Sequence, residues 1–140
     1  MTVLVTGGAG YIGSHVVLAL RDRGKACVVI DDLSTGSKSL LPGDVELVAG
    51  DIGDATLIGR LIERHRITSI VHLAASTSVP DSIRQPLLYY ANNAAKTCTR
   101  VCLVICLICC VCWSGVSVLS LSISCFCFFA SSRIDLILSF

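Results

Sequence analysis

Thr6-Gly7-Gly8-Ala9-Gly10-Tyr11-Ile12-Gly13-Ser14 is the stretch on which the reading of this chain turns. An apolar run, Val3-Leu4-Val5, precedes it and reads as a buried strand. An apolar-periodic stretch over residues 12–20 follows it and reads as a helix. Strand, glycine turn and helix in that order form the context in which a glycine motif points to a dinucleotide. Gly7 is placed to make the tight turn. Gly10 lets backbone approach a pyrophosphate, and Gly13 lets the helix pack closely on the strand. The N–H groups that open the helix, at the positive end of its dipole, then face the phosphates.

The spacing fits both Gly8-x-Gly10-x-x-Gly13 and Gly7-x-x-Gly10-x-x-Gly13. Glycines also simply make turns, so the partner downstream matters. Residues 27–30, Cys-Val-Val-Ile, read as a second strand that ends in Asp31-Asp32. Asp31 lies 21 residues after Gly10, close to the ~20 expected of the acid that accepts from the adenosine ribose.

The 140 residues suffice for one domain with a real core, and a net charge of +1 gives no sign of a nucleic-acid partner. Hydrophobic residues make up 54% and the mean hydropathy is +0.79. That average joins two unlike parts. Residues 1–100 have the composition of an ordinary soluble domain, whereas residues 101–130 contain no charged residue. Cys27 stands alone among residues 1–97, and the other eight cysteines fall between Cys98 and Cys127. The N-terminus runs straight into a strand without a signal peptide. A reducing, cytoplasmic setting is therefore expected rather than a disulfide framework.

Further elements alternate along the chain. A helix is expected over residues 11–23, stopped at Gly24, and strands over residues 45–48 and 69–73. A helix over residues 55–66 is capped by Asp54 and striped by Leu57, Leu61 and Ile62. Residues 78–82 read as irregular, and a last helix runs from Pro86 to about Thr97. The alternation predicts a parallel, doubly wound sheet with right-handed crossovers. Its ligands bind beyond the carboxyl ends of the strands, where the small residues Ala74-Ala75-Ser76 would admit one. His72, at a strand end, reads as a packed, hydrogen-bonded core residue. Cys106-x-x-Cys109-x-x-Cys112 lies in an apolar run without polar neighbours, so no metal site is expected.

Five motifs in order resemble the UDP-glucose 4-epimerase family, within the extended short-chain dehydrogenase/reductase superfamily. They are the glycine stretch through His15, Asp31 to Gly36, Gly50-Asp51-Ile52, His72-Leu73-Ala74-Ala75, and Pro86-Leu87-Leu88-Tyr89-Tyr90-Ala91-Asn92-Asn93. The resemblance covers about the first 97 residues. Sister dehydratases and decarboxylases of nucleotide sugars share much of it.

The resemblance implies a Rossmann-like α/β sheet, incomplete at about its first four strands, with its last strand edge unpaired. It implies NAD as cofactor. Gly7, Gly10, Tyr11, Ile12 and Gly13 would hold the pyrophosphate. Asp31, Asp32, Leu33, Ser34, Thr35 and Gly36 would surround the adenosine ribose, the acid repelling a 2′-phosphate. Asp51 and Ile52 would meet the adenine. Leu73, Ala74, Ala75, Ser76 and Thr77, with Asn92, would line the nicotinamide half. The implied substrates are UDP-glucose and UDP-galactose, interconverted in galactose metabolism through a 4-keto intermediate.

Such chemistry uses a tyrosine base with a lysine four residues on. No Tyr-x-x-x-Lys occurs here, for the tyrosines are Tyr11, Tyr89 and Tyr90 and the last lysine is Lys96. The chain is thus expected to be inactive alone and not to form the homodimer of its family. Residues 98–140 admit two readings. A bilayer span over about 101–130 exceeds the ~20 residues required. A frameshift or intron read-through would explain the wealth of Cys, Phe, Leu, Ile, Val and Ser, whose codons can all be rich in T. A genuine span would make the chain a membrane-tethered NAD-binding pseudo-enzyme.

Overall fold

The structure, a computed structural model, describes residues 1–97 and 137–138. The suggested span over residues 101–130 and the cysteines at 106, 109 and 112 lie outside them. Among the described residues no helix is long and apolar enough to cross a membrane.

Three apolar runs become the centre of a parallel sheet: β1 (Thr2–Thr6), β2 (Ala26–Asp31) and β4 (Ile67–His72), with β3 (Glu46–Ala49) outside β2. Near-continuous Val and Ile suit strands covered on both faces. Side chains alternate across the sheet, and the two sets meet different helices. Leu4, Val28, Ile30 and Ile70 pack with Ile58, Leu61 and Ile62 of α2 (Ala55–His65). Val3, Val5 and Val29 pack on the opposite face with Val17 of α1 (Tyr11–Asp22). Ile58 joins Leu61 and Ile62 as the buried stripe of α2, and Leu57 packs at its margin.

The strand order is β3-β2-β1-β4-β5, where β5 is Ile137–Leu138. Val71 pairs with Ile137 and His72 with Leu138, both parallel. The edge of β4 that the sequence leaves unpaired is thus paired at two positions, through residues far along the chain. Between β1 and β4 the chain reverses its direction of travel across the sheet. In open α/β sheets such a reversal is where ligands bind, outside the carboxyl ends of the strands.

The helix ends follow local chemistry. After α1, Gly24 takes φ +64°. Its N–H donates to Arg21 O at 2.8 Å, and that of Lys25 donates to Leu20 O at 3.0 Å. This closes the helix in a Schellman motif. Asp54 caps α2 by accepting from the N–H groups of Thr56 and Leu57. The expected irregular segment contains a short helix, α3 (Val79–Arg84), with proline in its first turn and a Ser78 hydroxyl donating to Asp81 Oδ2 at 2.6 Å. Six residues with no buried face leave no apolar period to read. Gln85 breaks the path before α4 (Pro86–Tyr90), which continues as a π-helical turn over Ala91–Lys96.

Arg66 closes α2 in the left-handed region at φ +49°, a conformation that costs a side chain ~1–2 kcal/mol. Glycine there relieves that strain but brings its own unfolded-chain entropy. Arg66→Gly is expected to stabilise the fold by about 0.5 kcal/mol. A higher urea midpoint at unchanged slope checks this.

Candidate functional site

The glycine turn is built by crowding. Gly7 has φ +70°, and its N–H donates to Ile30 O at 2.9 Å. A Cβ on Gly7 would lie 2.7 Å from Ala74 N, in the loop after β4. At Gly8 it would lie 2.7 Å from Val29 Cγ1, and at Gly13 it would run into Gly7 O and Gly8 Cα. Gly13 therefore brings α1 against the turn itself, and Gly8 is the residue that packs on a strand. Gly10 differs. It has ordinary φ −76°, and a Cβ there would meet only Gly7 O, at 3.3 Å. The fold makes the weakest demand for glycine at this position.

Gly10 is also the N-cap of α1. It offers no side-chain acceptor, and the first turn carries no acidic residue. The opening N–H groups of a helix have no acceptor within it, so this end suits an anion from outside the chain. Tyr11 (77% exposed) and Ile12 (65%) flank it. A pyrophosphate therefore fits, on the strength of an uncapped helix end beside a glycine that the fold scarcely requires.

Asp31 ends β2 and is only 8% exposed. Its Oδ2 accepts from Ala9 N–H and its Oδ1 from Leu33 N–H, each at 2.9 Å. Leu33 adopts φ +59° within that turn. Ser37 N–H donates to Ala9 O at 2.9 Å, and a Cβ on Gly36 would lie 2.9 Å from Ala9 C. The loop after β2 is thus fastened to both sides of the Ala9 residue. A carboxylate has about four acceptor positions, so Asp31 retains capacity for ribose hydroxyls. Asp32, exposed, accepts at Oδ1 from the N–H and hydroxyl of Ser34. Thr35 is also exposed.

After β3, Gly50 N–H donates to Asp31 O at 3.0 Å, which brings the third loop beside the second. Asp51 is exposed and accepts from Gly53 N–H at 2.7 Å. Ile52 packs on the core. After β4, Leu73 N–H donates to Thr6 O at 3.0 Å, and Ala74 lies over Gly7. Ala75 and Thr77 are exposed, and Ser76 is half-buried. Asn92 Nδ2 donates to Ser76 Oγ at 2.7 Å. Asn93, which sequence reasoning passed over, makes two bonds to the Ser76 backbone. The residues singled out from the sequence thus stand at the carboxyl ends of four strands, in the loops that follow them, in the first turn of α1 and in the π-helical turn.

His72 ties three of these segments together from within. It is 8% exposed. Thr6 Oγ1 lies 2.6 Å from His72 Nδ1 and also accepts from Leu73 N–H. On its other side His72 Nε2 lies 3.2 Å from Thr97 Oγ1, so the neutral ring has a hydroxyl partner at each nitrogen, one to donate to and one to accept from. This is the packed, bonded core histidine that the sequence suggests. Burial holds its pKa below the ordinary 6.5. The unfolded chain accordingly takes up a proton at a pH where the folded one does not. Stability is intact above about pH 6.5 and declines as the pH falls below it. The urea midpoint is expected to drop between pH 7.5 and 5.5, and to drop less in His72→Asn. An equal drop in both proteins would assign the titration elsewhere.

Comparison with known proteins agrees with this geometry. Residues 3–108 match the pattern of the NAD dependent epimerase/dehydratase family. The chain is 54% identical over 97 residues to a UDP-glucose 4-epimerase of Azospirillum brasilense, covering 69% of this chain and 28% of that protein. It is 44% identical over 99 residues to one from Halalkalibacterium halodurans, covering 71% and 29%. Among solved structures, the NAD complex of UDP-glucose 4-epimerase from Thermus thermophilus superposes with a TM-score of 0.70 at 36% identity, covering 76% of this chain and 34% of that one. The Brucella ovis enzyme with NAD gives 0.71 at 38% identity, covering 76% and 32%. The chain thus spans less than a third of the length of these curated relatives. A family pattern over most of the chain, on a sheet with this order and this glycine turn, places it plainly: the chain belongs to the NAD dependent epimerase/dehydratase family.

Proposed function

We propose that residues 1–97 are the NAD-binding portion of a UDP-glucose 4-epimerase-like enzyme acting on nucleotide sugars. One observation carries the reading. The uncapped start of α1 opens beside Gly10, at the same sheet edge as the Asp31 carboxylate and the loop from Leu73 to Thr77. When bound, NAD supplies a hydride acceptor and donor at the sugar carbon.

The chain's own residues divide the work of holding it. The N–H groups at the start of α1 take the pyrophosphate, with Gly7 and Gly13 shaping the turn and Tyr11 and Ile12 flanking it. Asp31 accepts from the adenosine ribose, while Asp32, Leu33, Ser34, Thr35 and Gly36 enclose that end. The acids at Asp31 and Asp32 disfavour a 2′-phosphate. Asp51 and Ile52 border the adenine. Leu73, Ala74, Ala75, Ser76 and Thr77, with Asn92, line the nicotinamide end.

Proton transfer at the sugar hydroxyl requires a group that these 140 residues do not contain, for no Tyr-x-x-x-Lys is present. A polypeptide of residues 1–140 accordingly binds cofactor without turning over UDP-galactose.

Calorimetric titration tests this. NAD is expected to bind, and NADP at least about tenfold more weakly. Gly10→Ala should weaken NAD while leaving the urea midpoint nearly unchanged. Gly13→Ala should instead cost about 1–3 kcal/mol of stability through overpacking. Absence of NAD binding, or measurable interconversion of UDP-galactose and UDP-glucose, would overturn the corresponding part.

A further inference from the structure

We infer that the side-chain amide of Asn93 is a positioning group for the nicotinamide end of the cofactor, acting through the backbone of Ser76. The inference rests on the NAD-binding reading above and adds to it a residue that does not itself touch the cofactor.

Asn93 Oδ1 accepts from Ser76 N–H at 2.8 Å, and Asn93 Nδ2 donates to Ser76 O at 2.8 Å. The two bonds fix which end of the amide is oxygen. They also make the exchange that a neighbouring strand would make with a single residue, two donors meeting two acceptors. Ser76 lies four residues beyond the end of β4, so here a side chain continues what the ladder began. Asn92 adds a third bond, to the Ser76 hydroxyl, at 2.7 Å.

This pair matters because, among the described residues, the segment from Ser76 to Lys96 has few other ties to the sheet, the His72–Thr97 contact lying just beyond it. Neither α3 nor α4 buries a residue, and Val79, Ile83, Leu87, Leu88 and Tyr90 are exposed. The loop 73–77 therefore takes its place from its two ends. At one end Leu73 N–H meets Thr6 O. At the other the amide of Asn93 holds Ser76. The core clusters contain none of residues 74–77 or 91–97. Removing the amide thus releases the loop without opening the core. The adenosine end depends on different bonds, those of Asp31 to Ala9 and Leu33.

That separation supplies the test. ADP reports on the glycine turn and the Asp31 loop alone, whereas NAD also reports on the loop 73–77. In the 140-residue chain, Asn93→Ala removes both bonds, and Asn93→Asp keeps the acceptor but loses the donor. Both are expected to weaken NAD about tenfold and to leave ADP affinity within about twofold. Parallel loss of NAD and ADP in both variants would mark Asn93 as a general brace of the fold and overturn the inference. Unchanged NAD affinity would overturn it as well. Failure of the unsubstituted chain to bind NAD would be a different result, removing the reading on which the inference stands.

Discussion

The carboxylate of Asp31 holds two loops at once, and most of the site depends on it. One oxygen takes the Ala9 N–H of the glycine turn, and the other takes the Leu33 N–H of the turn that follows β2. The group is nearly buried, so each bond stands in place of water that cannot reach it, and removing the acceptor would leave donors unsatisfied. Ser37 and Gly36 close on the same Ala9 residue from the other side. The third loop then leans on this assembly through Gly50 and the Asp31 carbonyl. A residue chosen from the sequence for its distance from Gly10 thus proves equally a fastening of the fold.

Much of this was legible in the chain because it follows local periods. Val3 to Val5 and Cys27 to Ile30 are apolar without interruption, as strands covered on both faces must be. Gly24 and Asp54 mark helix ends by chemistry that needs no tertiary partner. What could not be read depends on approach in space. Gly8 is required by Val29, across a strand pair that no local pattern reveals. The short helix Val79–Arg84 has no buried face to give it a period. The pairing of Ile137–Leu138 with β4 joins residues too far apart in sequence for any motif. Asn93 carried one usable signal, a second amide beside Asn92. On a helix, adjacent residues normally face different ways, and it takes the geometry of the π-helical turn to bring both amides to Ser76.

The glycines divide in a similar way. Gly7, Gly8 and Gly13 are demanded by the protein's own atoms, with contacts that leave no room for a methyl group. Gly10 is not demanded in that degree, and under the proposed NAD-binding reading its place is explained by what approaches from outside. A glycine motif is therefore composite: part of it records how the chain packs, and part records what the chain holds. Only the coordinates separate the two.

The fastening at Asp31 also bears on how a ligand would arrive. Loops that remain unfixed until a ligand orders them levy an entropic charge on association. Here the turn at Leu33, strained at φ +59°, is already held by a buried carboxylate. The ordering of the adenosine end belongs to folding, and encounter there resembles a key meeting a finished lock. The other end takes its order from the amides at Ser76, beneath helices with no buried residue. For a dinucleotide, the adenosine half would meet a loop set by a buried carboxylate of the core sheet, and the nicotinamide half one set by side-chain amides outside it.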